Sequence, residues 1–567
     1  MLRPSFFAIA FLIAPGISLA EQGKAPVDGG PMDCAALQSA APDGGGRTIC
    51  ADVVAMDQML VYNRFGSFNP FGMIFALRRD VVPMETPILA ATAEDCDSRL
   101  GTETVTGALQ AGQVRLKDCK RPRPMVLRAN VGDTLHIRLT NLLLPNQPDL
   151  SSSFCRNNDQ RGQDWTNVRP HVSDSETVTL GDALCPSAGP SAEAEEPDQN
   201  WPRSRGLNFA VQGLQAFAPE GQVVDAACLG LRAVPANTPI NCYYRIEREG
   251  PFFLTSTAAP SGGEGDGGSL THGLFGAVVA QKAGTSWYRS QLSPAAFEAF
   301  RDRLTSLGKL VEAASGAFDL TAYDTTVDQN GIPVLGFLQS RGGTAYEIVH
   351  SDLNAVVANP AHADDPREGD KKPPAAFREF SVFFHDELKS FYTRNFEELA
   401  NFSQLAGARD GFAINYGASG MGTVLLANRK GIGPSANCAE CFYEEFFLTS
   451  WANGDPALLE QYSDDPSNVH HSYLNDPVVF RNFHAGPKET HVFHLHAHQW
   501  FAGNDAGRGA FLDSQTVGPQ QAFTYDIDGG RMEVYHPAAA DRPGWMEVLG
   551  SGNRNRTVGD SIFHCHL

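Results

Sequence analysis

The chain has 567 residues, with 44 basic side chains against 65 acidic ones and a formal net charge of −21. That balance argues against a nucleic-acid partner, whose phosphates would be repelled, and it serves solubility while also concentrating cations near the surface. The length allows roughly three or four domains, and 55 glycines and 36 prolines between short β-branched and aromatic runs favour many short strands over long helices.

Taken in chain order, residues 1–20 begin with Arg3, continue through an apolar run from Phe6 to Ile13, and end in Ser18-Leu19-Ala20 ahead of Glu21. This is the pattern of a removable secretory signal peptide, so a secreted or periplasmic protein is expected. The apolar run is too short to span a bilayer, and no later segment reaches about eighteen uninterrupted apolar residues. No stable membrane span is expected, and the mature protein should be soluble.

Residues 21–50 and 186–205 are rich in Gly, Pro, Ala and acidic side chains and read as loops or linkers. A strand is expected over the run Thr134 to Thr140, and 21–285 is taken as a first β-sandwich domain. A different pattern follows. Ser293-Pro294 caps a run with Phe297, Phe300, Leu304, Leu307 and Leu310 at helical spacing, which predicts a helical connector within 286–340. A second sandwich is expected over 341–435, with strands near 344–349, 380–388 and 411–426, and a third over 436–567.

There are eleven cysteines. With Cys565 set aside for the chemistry below, ten remain at 34, 50, 96, 119, 155, 185, 228, 242, 438 and 441, enough for up to five disulfides in an oxidising compartment. Cys438-Ala439-Glu440-Cys441 invites a zinc or redox reading, but no second cysteine pair accompanies it, and a small-loop disulfide is the simpler outcome.

The chemistry concentrates in His491-Val492-Phe493-His494-Leu495-His496-Ala497-His498 and in Phe563-His564-Cys565-His566. A soft thiolate flanked by imidazoles, beside a second imidazole cluster, is the donor set of copper redox sites. Successive side chains of a strand point to opposite faces. His564 and His566 therefore leave one face and Cys565 the other, while His494 and His496 share a face that His491 does not. On this parity Cys565 and His491 would hold a mononuclear copper inside a sandwich. The imidazoles of His494, His496, His564 and His566 would face a neighbouring copper cluster. Consecutive Cα atoms are about 3.8 Å apart, so the Cys-His peptide bonds give electrons a short covalent path. Zinc also accepts clustered histidines; the thiolate between two of them tilts the case to copper.

These two motifs resemble the multicopper oxidases, whose third cupredoxin domain carries His-x-x-His-x-His and a later His-Cys-His. The segments THVFHLHAHQW and NRNRTVGDSIFHCHL look most like a bacterial branch that includes candidate manganese oxidases, and NVGDTLHIRLTN and GGSLTHGLFGAVVAQ look like strands of a first cupredoxin domain. The resemblance implies an all-β fold of tandem cupredoxin-like Greek-key β-sandwiches with a short helical connector. It implies a blue mononuclear copper held by His491 and Cys565, and a trinuclear cluster held in part by His494, His496, His564 and His566, up to four copper ions in all. His498 has the right parity but falls outside the family's ligand set.

The family also places His-x-His segments in its first domain, at positions matching Ala210-Val211-Gln212-Gly213 and Thr255-Ser256-Thr257. Neither segment carries an imidazole. A complete trinuclear cluster takes eight imidazoles, and the motifs here supply four. The missing ones would lie beyond Leu567, or come from His136, His171, His272 or His385, or be lost altogether. The family's second mononuclear imidazole and its axial position follow the cysteine, so the natural chain is expected to continue.

The expected activity is one-electron oxidation of a small reduced metal ion such as Mn(II), Fe(II) or Cu(I), or of a phenolic donor, coupled to reduction of O2 to water. The alternative is an exported, non-catalytic copper-binding protein. Asp386, Glu387 and the acidic loop SAEAEEPDQ are candidate places for substrate cations. His136 and His272 are expected to be hydrogen-bonded structural residues, His385-Asp386-Glu387 an exposed polar turn, and His470, His471 and His484 surface residues.

Overall fold

The computed structural model describes residues 30–37, 46–62, 67–69, 72–84, 108–117, 122–145, 205–258, 268–290, 333–359, 376–388, 391–392, 411–417, 470–472, 477–504, 510–527, 533–536, 545–548 and 561–566, with positions 86, 120 and 327. Among them the chain is nearly all β. The expected signal peptide, His171, the helical run at 293–313 and the Cys438 to Cys441 segment lie outside the described residues.

A seven-stranded sheet runs from Gln215–Phe217 through Pro239–Arg245, Thr134–Asn141, Thr48–Asp57 and Ala345–Ile348 to Leu338–Gly342, with Met73–Leu77 paired to Thr48–Asp57. A four-stranded sheet orders Met125–Asn130, Phe275–Gln281, Gly250–Thr255 and Ala210–Val211. Thr134–Asn141 bears out the strand expected there, and Asn130 ends the preceding strand, Met125–Asn130, of the other sheet. Gly132 at φ 93° makes the corner between them, a backbone conformation that a side chain disfavours. The carboxylate of Asp133 closes that corner by accepting the Asn130 N–H at 2.7 Å and pairing with Arg47 at 2.8 Å.

Every residue of Phe275–Gln281 is buried, because this strand has a core on each side. Val278 and Ala280 join Leu127, Leu254, Ile137 and Leu139 between the two sheets. Phe275, Ala277 and Val279 face the other way, toward Phe383 and Phe483. The alternation of a strand thus builds two cores from one sheet.

A six-stranded sheet follows, ordered Ser286–Arg289, Ala355–Ala358, Ala376–Leu388, Val478–His484 and Ala522–Asp526, with Gly411–Ile414 paired to Ala376–Leu388. The sheets run across the boundaries expected at 341 and 436. Ala345–Ile348 pairs in parallel with Thr48–Asp57, and Ala376–Leu388 pairs in parallel with Val478–His484. Ser286–Arg289, at the start of the expected connector, is itself a strand.

The four-stranded and six-stranded sheets are tied by a buried ionic cluster. Glu379, fully buried, accepts from Arg128 at 3.0 Å, Arg481 at 2.9 Å and Gln281 at 2.6 Å. Burial pushes the Glu379 carboxyl up, and the two guanidinium groups outweigh that and hold it below its ordinary value. On the far face of the six-stranded sheet, Phe380, Val382, Phe384 and Phe480 pack against Phe493, Leu495, Trp500 and Tyr525. That third core is the floor of the histidine motifs.

Two disulfides are formed among the described residues, Cys34–Cys50 and Cys228–Cys242, and Cys565 is outside any disulfide. No helix among the described residues is long and apolar enough to cross a membrane.

Candidate metal centre

His491–Leu495 is the middle strand of a three-stranded sheet, antiparallel to Ser514–Val517 on one side and Phe563–Cys565 on the other. The register opposes Phe493 to Cys565 and His494 to His564. Backbone bonds from His496 N to Ile562 O at 2.8 Å and from His566 N to Val492 O at 3.1 Å extend it at both ends. Residues opposed across an antiparallel pair share a face. His491, Phe493 and Leu495 are buried and alternate with half-buried Val492 and His494. The two motifs, more than sixty residues apart in sequence, are therefore brought together with the parity that their spacing predicts.

On the buried face, His491 Nδ1 lies 3.3 Å from Cys565 Sγ, and the Val492 N–H donates to the same sulfur at 3.3 Å. His491 is 1% exposed. Phe384 closes over its ring at 5.5 Å and His484 at 4.4 Å. The other ring nitrogen, Nε2, is 3.9 Å from Asp386 Oδ1. Burial lowers the affinity of His491 for a proton, yet the Asp386 carboxylate and the Cys565 sulfur outweigh it and raise its pKa. Burial likewise pushes Asp386 up, but His491, His385 and the Glu489 N–H bring it down to about 2.

On the opposite, more open face, His566 Nε2 is 2.8 Å from His494 Nδ1, and His496 Nε2 is 3.0 Å from His564 Nε2. His494, His564 and His566 each offer a ring nitrogen within 4.8 Å of the others. Metal–nitrogen bonds of about 2.0–2.1 Å leave ligand nitrogens roughly 3 Å apart, so these separations suit shared coordination. His564 Nδ1 donates to the Cys565 carbonyl at 2.8 Å, which leaves Nε2 as the lone-pair nitrogen aimed at His496. Burial and the neighbouring imidazoles lower the pKa of His494. Burial, against the Cys565 carbonyl, lowers that of His564. Both rings therefore favour the neutral, ligating form. His498 Nδ1 bonds the His496 carbonyl at 2.9 Å and braces the turn.

No family model matches the chain, and no curated protein does. Among solved structures, a copper nitrite reductase from Nitrosomonas europaea is similar over 91% of this chain and 93% of its own, with a TM-score of 0.33 and 10% identity. A likeness of that degree carries neither a fold family nor a chemistry over to this chain.

Several expectations change in three dimensions. His385 and Asp386 are not an exposed turn. They are buried in strand Ala376–Leu388, where His385 bonds the Leu270 carbonyl at 3.0 Å and stacks on Phe275. Nor is His484 a surface residue. It is fully buried, with Nδ1 accepting from the Gly486 N–H at 3.1 Å and Nε2 donating to the Glu489 carbonyl. His470 is half-buried against Phe380 and Phe563. The signal for Asp386 and His484 was present in the parity: Phe380, Val382, Phe384 and Asp386 alternate onto one face, as do Val478, Phe480, Asn482 and His484. Glu387 pairs with Lys488 at 3.2 Å.

His136 and His272 are hydrogen-bonded, buried residues as expected. His136 bonds Asn241 at 3.0 Å and stacks on Tyr243, and His272 bonds Asn69 at 3.3 Å. The four residues standing where imidazoles were sought have partners of their own. Ala210 opposes Thr255, Gln212 bonds Gln520 at 2.5 Å, and Thr257 bonds Asn208 and the Gly230 carbonyl. The open face brings together, among the described residues, the imidazoles of His494, His496, His564 and His566.

Proposed function

We propose that the chain is an exported copper oxidoreductase of the multicopper oxidase type, built on cupredoxin-like sandwiches. It would take single electrons from a small reduced metal ion such as Mn(II), Fe(II) or Cu(I), or from a phenolic donor, and deliver them to O2. The observation that carries this reading is the register of the Phe563–Cys565 strand on His491–Leu495. It puts a thiol and an imidazole together on a buried face and four imidazoles together on the other, one peptide bond away. The donor set fits: a soft sulfur and a nitrogen 3.3 Å apart on one side, and borderline nitrogens in close pairs on the other.

Bound at these residues, copper supplies one-electron redox chemistry. The chain's own groups do the rest. Cys565 and His491 would hold the mononuclear ion, with Phe384 packed on His491 and Phe493 beside Phe384. His494, His496, His564 and His566 would hold copper where O2 has access from solvent. Because His564 and His566 flank Cys565 directly, the covalent route between the faces is a single residue long. The two disulfides support an oxidising, exported location.

A second reading, a copper-binding protein without oxygen turnover, is favoured by the Ala210, Gln212, Thr255 and Thr257 side chains, which contribute no imidazole. Copper content, optical and EPR spectra, and oxygen uptake with Mn(II), Fe(II), Cu(I) and a phenol separate the two. The oxidase takes up several coppers, shows an intense thiolate-to-copper band and consumes O2. In Cys565→Ser the band disappears and uptake falls by orders of magnitude. Unchanged uptake in that variant would sink the electron-entry role of Cys565, and copper loading with no uptake by the parent chain supports the second reading.

A further inference from the structure

Asp386 is 5% exposed and lies on strand Ala376–Leu388, more than one hundred residues before the histidine it faces. Its two oxygens do different things. Oδ2 is fixed by the backbone N–H groups of Lys488, at 3.2 Å, and Glu489. Oδ1 is buried, has no hydrogen-bond partner among the described residues, and points at His491 Nε2 from 3.9 Å. A buried carboxylate oxygen left in that state is costly, and such an arrangement persists where it serves the site. The fold also holds it there: a Cβ built on Gly486 would come within 1.4 Å of Oδ1, so the glycine allows backbone and carboxylate to touch.

The other polar groups around His491 are committed elsewhere. His484 has both ring nitrogens in bonds to backbone groups, His385 bonds the Leu270 carbonyl, and Glu387 pairs with Lys488. Only Asp386, among the charged groups named here, directs an oxygen at the rear of the His491 ring. A negative charge behind an imidazole favours the proton on the nearer nitrogen and leaves the farther nitrogen as the lone-pair donor. At 3.9 Å the effect acts through charge rather than through a direct hydrogen bond.

We propose that Asp386 is the positioning residue of His491, holding the ring with Nε2–H toward its own carboxylate and Nδ1 toward Cys565, and strengthening Nδ1 as a donor to copper. This rests on the reading of His491 and Cys565 as copper ligands. It assigns a role in the site to a strand that neither motif contains.

The test is Asp386→Asn in the full chain loaded with Cu(II), read by chelator competition, by the thiolate-to-copper band and by redox titration. The expected result is a retained band, copper retention weakened by about 10–100-fold, and a reduction potential moved positive because a negative charge beside the ion is gone. Unchanged affinity and potential would show a merely structural carboxylate. Loss of the band together with all copper would make Asp386 a ligand in its own right, which also overturns the proposal. Failure of the underlying reading looks different: the parent chain itself then lacks the thiolate band. If Asp386→Asn does not fold, histidine-selective 15N NMR of the copper-free parent decides. An Nε2–H tautomer at His491 is expected, and an Nδ1–H tautomer overturns the assignment.

Discussion

At the scale of single residues, Phe493 shows why the site sits where it does. It is fully buried, opposes Cys565 in the register, and lies between His491 and His494 in sequence. Its ring meets Tyr525 at 5.0 Å, Phe480 and Trp500 at 5.6 Å and Phe384 at 6.0 Å. A Phe→Ala change in such packing costs about 3–5 kcal/mol because a cavity is left as well as transfer energy lost. Phe493→Ala should show that loss in urea denaturation, and it should loosen the pairing of His494 with His564. A loss under about 1 kcal/mol would mean that the third core collapses around the gap and does not anchor the motif. The parity of His491, His494 and Cys565 was legible from spacing alone because strand geometry is local. The parity of Asp386 with Phe380, Val382 and Phe384 was legible in the same way, but its approach to His491 was not, since that depends on a sheet that forms around it.

At the scale of elements, strands distant in sequence are held together by parallel pairing and by buried charge. Parallel pairs need long crossovers, and the pairing of Ala376–Leu388 with Val478–His484 brings Asp386, His484 and His491 into one cluster. Glu379 sits on the opposite parity from Phe380 in the same strand and joins Arg128 to Arg481. Removing one partner of a buried ionic cluster leaves uncompensated charge and costs about 3–5 kcal/mol. Glu379→Ala should lower stability by that order, and Glu379→Gln, which keeps polar contacts, by less. Equal small effects in calorimetry would show that the cluster is hydrated rather than dry. The sequence could place Arg128, Glu379 and Arg481 on strands, but not opposite one another, because no local pattern encodes which sheets stack.

For the whole molecule, buried neutral histidines set the response to acid. Burial lowers His136 and His385 to about 4 each and His470 to about 3. The unfolded chain, with histidines near 6.5, binds more protons than the folded one from a pH of about 6.5 down to about 4 for His136 and His385 and about 3 for His470. Stability is therefore full above that window, falls as the pH falls through it, and levels off for these groups below it. At about 1.4 kcal/mol per unit, His136 and His385 each account for a total loss on the order of 3 kcal/mol across the window. Thermal unfolding of the copper-free chain should drop steeply from pH 7 to pH 4, and less steeply in His136→Phe. A flat profile would mean that these rings charge freely in the folded state.

The sequence by itself determined an all-β chain, the copper-type donor set and the face on which each motif residue emerges, because strand periodicity and ligand softness are properties of short segments. Tertiary structure decided the rest. It split residues 125–141 between two sheets at Gly132, paired strands from either side of 341 and of 436, and buried Asp386 and His484 behind His491. It also set Ala210 against Thr255. Those outcomes depend on which strands pair and which sheets stack, and that is settled by burial summed over the whole chain rather than by any window of it.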